Sequence, residues 1–208
     1  MYNFISIGHD CSPAAAQRGL NYRNFALPFD WIVTNIKGLN KCFEEDFSRF
    51  HTNLKYNHDK SRLIDDYDFE YPHDYPFENT TDLNNVGKGV YGENKGTSIV
   101  DNWHDYYEVI KEKYNRRIVR FRNIMHDTKP IIVLCRYHIN DLIALYRLLI
   151  NYYNKDNIYI INSSQVVSFN IISTNIISIN TEINDIWNEG AIWKKYIDYI
   201  IEIIEIKM

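Results

Sequence analysis

Apolar residues recur along this chain with two different periods, and each change of period marks out an element. Near the amino end Phe4, Ile5 and Ile7 form a short apolar run closed by Gly8, which predicts a first strand over Tyr2–Ile7. The loop Gly8-His9-Asp10-Cys11 follows. Ser12-Pro13 then reads as the N-cap and first position of a helix through Ala14-Ala15-Ala16-Gln17-Arg18, with Gly19 as its stop. From Trp31 to Phe50, apolar Ile32, Ile36, Leu39, Phe43 and Phe47 return at helical spacing. Residues 51–101 sustain no period and contain the glycine-rich stretch Gly87–Gly96, so they read as a long, loop-rich insertion.

The second half alternates cleanly. Asp101–His126 carries the stripe Ile110, Tyr114, Ile118, Phe121 and Met125, a helix; Ile131–Cys135 is a continuous apolar run, a buried strand. Ile139–Tyr153 is an amphipathic helix and Ile158–Ile161 a strand. Val166–Ile172 is a strand or connector, Ile176–Ile179 a further strand, and Trp187–Ile206 a last helix with Ile192, Tyr196, Ile200 and Ile203 on its face. Strands alternating with helices at these lengths predict an α/β fold: a three-layer sandwich with a mainly parallel sheet, interrupted after the first strand–helix unit by the irregular insertion. A chain of 208 residues suits one such domain over 1–208, with 51–101 inside it.

Composition narrows the class. The formal charge of −4 leaves no global basic field for duplex nucleic acid. Three widely spaced cysteines make neither a disulfide scaffold nor a zinc knuckle, and point to a reducing compartment. The apolar runs stay short of the ~18 residues of a membrane span, with Asp198, Glu202 and Glu205 breaking up the last of them. MYNFISIGHD lacks the basic start of a signal peptide, so the expectation is a cytoplasmic protein: host cytoplasm or virion if viral. Ile, Asn and Tyr, with 31, 24 and 17 residues, all use AT-rich codons, a bias that suits an AT-rich giant virus.

Ligands of open α/β sheets collect outside the carboxyl ends of the strands. Just past the predicted strand ends lie His9, Asp10 and Cys11; Arg136 and His138; Ser163 and Ser164; and Asn180 and Thr181. Cys11 at a helix mouth would feel the positive end of the helix, a setting that lowers a thiol pKa and favours the thiolate. The alternative for Cys11 is packing as a small hydrophobe, the reading given to Cys42 and Cys135. His73, with Asp74 beside it and prolines on both flanks, is a candidate base, and His138 is another. Lys113, Arg116, Arg117 and Arg120 flank the apolar stripe of their helix, either as a solvated row or as an anion-binding strip with Arg136. Asp66 and Asp68 form a DxD pattern able to hold a divalent ion against a nucleotide diphosphate.

Several of these segments fall in one order. Ile5-Ser6-Ile7-Gly8-x-x-Cys11 with Arg18, Pro28-Phe29-Asp30-Trp31-Ile32, Asp46-Phe47, His73-Asp74-Tyr75-Pro76, Tyr114-Asn115-Arg116-Arg117-Ile118-x-Arg120-Phe121 and Arg136 together resemble a family of papain-like cysteine peptidases with members in bacteria and large DNA viruses. The resemblance runs over roughly residues 2 to 150. It implies a Cys11 nucleophile, His73 as its histidine, and Asp30 and Asp74 as orienting carboxylates. Papain-like folds pack the cysteine helix on an antiparallel barrel, whereas the periodicity here predicts a parallel sheet.

The leading expectation is a cysteine-dependent hydrolase or acyltransferase: Cys11 attacks a carbonyl, α-helical N–H groups hold the oxyanion and His73 moves the proton. Its substrate would be a peptide, acyl or sugar-phosphate-containing compound, anchored by Arg116, Arg117, Arg120 and Arg136, with no cofactor or metal. Two alternatives stand beside it. One is a nucleotide-sugar-dependent transferase with a metal on Asp66 and Asp68 and phosphate on Arg116, Arg117 and Arg136. The other is a non-catalytic anion-binding α/β module in which Cys11 is only packed.

Overall fold

The computed structural model describes residues 2–80, 97–164, 170–173, 175–180 and 190–207. Strand β1 (Asn3–Gly8) leads into helix α1 (Ser12–Gly19) and then, after a long loop, α2 (Ile36–Glu44). Three two-residue strands, β2 (Lys55–Tyr56), β3 (Leu63–Ile64) and β4 (Glu70–Tyr71), pair antiparallel as a small second sheet. A single 3-10 turn (Trp103–Tyr106) opens α3 (Tyr107–His126). There follow β5 (Ile131–Arg136), α4 (Ile139–Tyr153), β6 (Ile158–Ser164), β7 (Asn170–Ser173), β8 (Ile176–Asn180) and α5 (Gly190–Lys207).

The main sheet has the order β1-β5-β6-β8-β7. Its first four strands are parallel and β7 closes one edge antiparallel. This is the α/β sandwich the periodicity predicts, with a parallel sheet rather than an antiparallel barrel beside the cysteine helix among the described residues. Every residue of β5 is buried, as a central parallel strand requires. Its side chains alternate between two cores: Ile131, Val133 and Cys135 pack with α3 and α4 residues, while Ile132 and Leu134 pack with Ala16 of α1 and Trp193, Ile197, Ile200 and Ile204 of α5.

Three expectations change. The pattern from Trp31 to Phe50 is not one helix. Trp31 has a left-handed backbone (φ 67°), Val33 bridges to Glu70, and Asn35 caps α2 by accepting the Gly38 N–H at 2.7 Å; left-handed Asp46 and Phe47 end the segment. The buried stripe of α5 is Trp193, Ile197, Ile200 and Ile204, about one position on from the expected one, since a helix apolar over most of its girth leaves its phase undetermined. Insertion 51–101 is more ordered than expected where it is described, with Leu63, Phe69, Tyr71 and Tyr75 in the core. Gly87–Gly96, Val166–Phe169, Thr181 and the start of the Trp187–Ile206 helix lie outside the described residues.

The row of cations on α3 splits in two. Lys113 and Arg117, one turn apart, flank Tyr114 at the edge of the apolar stripe and are buried; Arg116 and Arg120 are exposed. The reason lies across the fold, where two buried carboxylates, Asp30 and Asp74, face this edge of the helix.

Candidate active site

The carboxyl ends of β1 and β5 lie level, with Gly8 opposite Arg136. A Cβ on Gly8 would stand 3.3 Å from the Asp10 carbonyl oxygen and the Pro13 ring, so the loop closes tightly enough to favour glycine. Thr34 fastens the other side: its N–H and hydroxyl donate to the Gly8 carbonyl at 2.9 and 2.7 Å, and its hydroxyl meets that of Tyr137. Asn162 grips the backbone of Tyr137 at both ends, accepting its N–H at 2.8 Å and donating to its carbonyl at 3.0 Å. The floor of the site is therefore a clamped pair of loops.

Cys11 is the N-cap of α1, one residue before the expected cap, and it caps with no side-chain hydrogen bond. The capping is done by Asp10, whose carboxylate accepts the Ser12 N–H at 2.9 Å and the Ser12 hydroxyl at 2.6 Å. Its other oxygen lies 3.3 Å from Arg136 Nε. A D-x-S turn at a helix start is the sequence signal for this role.

The helix mouth does not lower the Cys11 thiol. With 5% of its surface exposed, burial pushes its pKa up to about 12, the negative charges of Asp10, Asp74 and Asp30 push the same way, and Arg62 opposes them. Burial thus keeps Cys11 a neutral thiol at rest, against the thiolate that the helix-mouth reading favours. Cys42 in α2 and Cys135 in β5 are fully buried core residues, as expected.

Around Cys11 the motif Pro28-Phe29-Asp30-Trp31 distributes its side chains in three directions. Phe29 enters an aromatic core, 5.3 Å centroid to centroid from Phe121. Asp30 accepts the Ser6 hydroxyl and the Leu27 N–H (2.9 Å) and pairs with Arg23 at 3.2 Å. Burial pushes the Asp30 pKa up, yet each of those neighbours is a donor, an environment only the carboxylate form satisfies. Trp31 turns outward, its ring 4.7 Å from the Arg18 guanidinium carbon and 5.9 Å from that of Arg23, with His73 edge-on at 6.4 Å.

Asp74 is buried and accepts from Lys113 Nζ and the Tyr114 hydroxyl. Burial opposes its ionisation, but the charges of Lys113 and Arg117 and these hydrogen bonds outweigh it and hold its pKa below the usual carboxylate range. Among the described residues, neither Asp30 nor Asp74 accepts a hydrogen bond from a histidine, and no hydrogen bond joins Cys11 to one.

The four expected arginines separate. Arg117 and Arg136 are buried. Arg116 is a surface residue paired with Glu112 at 2.7 Å, and Arg120 is an exposed residue lying over the Phe25 ring at 5.6 Å. Among the other candidates, His138 is the exposed N-cap of α4. The DxD run is a turn: Asp65 accepts the N–H groups of His51, Tyr67 and Phe69 and the Tyr71 hydroxyl, Asp66 accepts from Asn53 at 2.7 Å, and Asp68 is left-handed. No group of metal-ligating side chains comes together among the described residues.

Two further residues belong to the site: Arg23, which the sequence did not single out, and His9, expected there only from its place past the first strand. Arg23 holds Asp30. His9, past the end of β1, has Nδ1 2.5 Å from the Arg136 carbonyl, a contact that requires Nδ1–H and leaves Nε2 as the basic nitrogen.

With this geometry in place, a family model described as "Putative papain-like cysteine peptidase (DUF1796)" matches residues 2–173. The chain belongs to this family. The match takes in Cys11, the Asp30–Trp31 loop, His73–Asp74 and α3, so family membership and the spatial cluster cover the same residues. No curated protein and no solved structure matches the chain. No helix among the described residues is long and apolar enough to cross a membrane.

Proposed function

We propose that the protein is a cysteine-dependent hydrolase or acyltransferase with Cys11 as nucleophile. The observation that carries this reading is the place of Cys11: alone of the three cysteines it stands at a loop–helix junction, at the carboxyl edge of a parallel sheet, where ligands of such sheets bind. Its neutral thiol makes the chemistry serine-like, with attack coupled to removal of the proton by a base. His73 is the proposed acceptor. Its ring is in edge contact with Trp31, and the residues next to these two, Asp74 and Asp30, both act electrostatically on Cys11.

The sulfur would bond to the substrate carbonyl carbon as the thiol proton passes to His73, and the leaving group would depart with that proton. The oxyanion cradle is narrower than three helix N–H groups. Pro13 has none and that of Ser12 is held by Asp10, so the role falls to the N–H groups of Cys11 and Ala14.

Exposure to p-nitrophenyl acetate tests the reading. The expected result is p-nitrophenol release with an acetyl group recovered on the Cys11 peptide, lost in Cys11→Ala and slowed at least tenfold in His73→Ala. An adduct absent from Cys11, or spread evenly over the three cysteines, overturns it.

A further inference from the structure

Two of the three cations near Asp30 and Asp74 have a carboxylate of their own: half-buried Arg23 pairs with Asp30 and buried Lys113 with Asp74. The third, Arg117, is left over. Only 7% of it is exposed, and it lies over the Tyr114 ring at 5.3 Å. Among the described residues its guanidinium donates no hydrogen bond and has no carboxylate within 4.0 Å. Asp30 and Asp74 feel its charge from further off, and both, with Asp10, act on Cys11. Nor are its nitrogens shut away: Arg136 Nη1 and Arg23 Nε are buried from solvent without a hydrogen bond, whereas no Arg117 nitrogen is. A guanidinium so desolvated, unpaired and still reachable is set up to receive an anion.

We propose that Arg117 binds a free carboxylate carried by the substrate, an inference that rests on Cys11 as the nucleophile of the same site. Charge selects the carboxylate over a phosphate. Once each pair is cancelled, one positive charge remains at Arg117, with two buried carboxylates flanking it. A monoanion neutralises that surplus, whereas a dianion would bring a second negative charge close to Asp30 and Asp74. The flat guanidinium fork also suits a carboxylate's two oxygens.

The test uses three probes at equal ionic strength: N-acetylglycine, its neutral amide and inorganic phosphate. A ligand bound only by the folded state raises the melting temperature. N-acetylglycine is expected to raise it by about 2–4 °C at saturating concentration, the amide and phosphate by less than half as much. The shift should persist in Cys11→Ser, so a failure of the nucleophile reading would leave it intact, and vanish in Arg117→Met, which keeps the stem. Acid and amide acting alike, phosphate acting more strongly, or retention of the shift in Arg117→Met would each overturn the assignment.

Discussion

At the scale of single residues, the site turns on a competition between helix dipole and burial at Cys11. The dipole at a helix mouth favours a thiolate, but only where water or a cation helps to solvate it. Here Asp10 already occupies the helix end, and Asp30 and Asp74 add negative charge beyond it. With a thiol pKa of about 12, the thiolate at pH 8 is roughly a thousandfold scarcer than for a free thiol. Alkylation of Cys11 by iodoacetamide should therefore be slow at pH 8 and climb about tenfold per pH unit through pH 10, as followed by mass spectrometry of timed samples. A plateau near pH 8.5 would show a thiol that burial does not control. The acetyl transfer proposed above should not share this profile, because His73 rather than bulk hydroxide would remove the proton, so its rate should climb less steeply than tenfold per pH unit over the same range. Cys42 and Cys135, fully buried in their elements, should lag behind Cys11 throughout.

Among the elements, α2 shows how one glycine can position a segment. Gly38 faces the loop before β4, and a Cβ there would run into the Tyr67 carbonyl oxygen and come within 2.8 Å of the Phe69 ring. Gly38→Ala should cost about 1–3 kcal/mol, because backbone cannot yield as a flexible side chain would. Gly19, at the end of α1, has nothing within 4 Å of such a Cβ, and Gly19→Ala should leave stability unchanged or raise it by up to ~1 kcal/mol. Urea midpoints of the two variants check both signs; equal losses would mean that close packing at α2 is not the cause. The same elements show what the sequence discloses. The apolar run Ile131–Cys135 and the stripe of α3 announce themselves, since hydrophobic period is a local property, and the parallel sheet follows from their alternation. The left-handed turns at Trp31, Asp46 and Phe47 do not, because none of these is a glycine and tertiary packing enforces the conformation. Nor could spacing separate buried Arg117 from exposed Arg116: a cation at a stripe's edge reads alike whether solvent or a distant aspartate awaits it. Cys11, Asp30, His73 and Asp74 were legible as an ordered set of motifs, whereas their actual partners, Arg23 and Lys113 among them, depend on contacts across the fold.

For the molecule as a whole, the buried His51 ties the second sheet to α3 and should make folding sensitive to acid. Its ring is fully buried, stacked 5.5 Å from Tyr107 and tilted against Tyr114 at 4.9 Å, with Nε2 3.0 Å from the Tyr75 hydroxyl. Its backbone joins the two regions: the N–H donates to Asp65 at 2.9 Å, and the carbonyl accepts from Tyr107 and Lys111. Burial holds the imidazole pKa down at about 3, with Lys111 and Lys113 pushing the same way against Asp74. The unfolded chain offers the same histidine an ordinary pKa near 6.5. Between those values the unfolded state binds a proton that the native state refuses, so stability falls as the pH drops, by up to about 1.4 kcal/mol per unit. Between pH 6.5 and 4.5 the loss from His51 alone should approach ~2–3 kcal/mol. His51→Asn removes the titration and suits the left-handed backbone at this position (φ 53°), so it should be less stable at pH 7.5 yet lose less on acidification. Contributions from Asp30, Asp65 and Asp74 are common to both proteins and cancel in the difference. Urea titrations at half-unit steps should show the two stability curves converging as the pH falls from 6.5 to 4.5. Curves that stay parallel would mean that His51 takes up its proton in the native state, and that acid lability arises among the carboxylates instead.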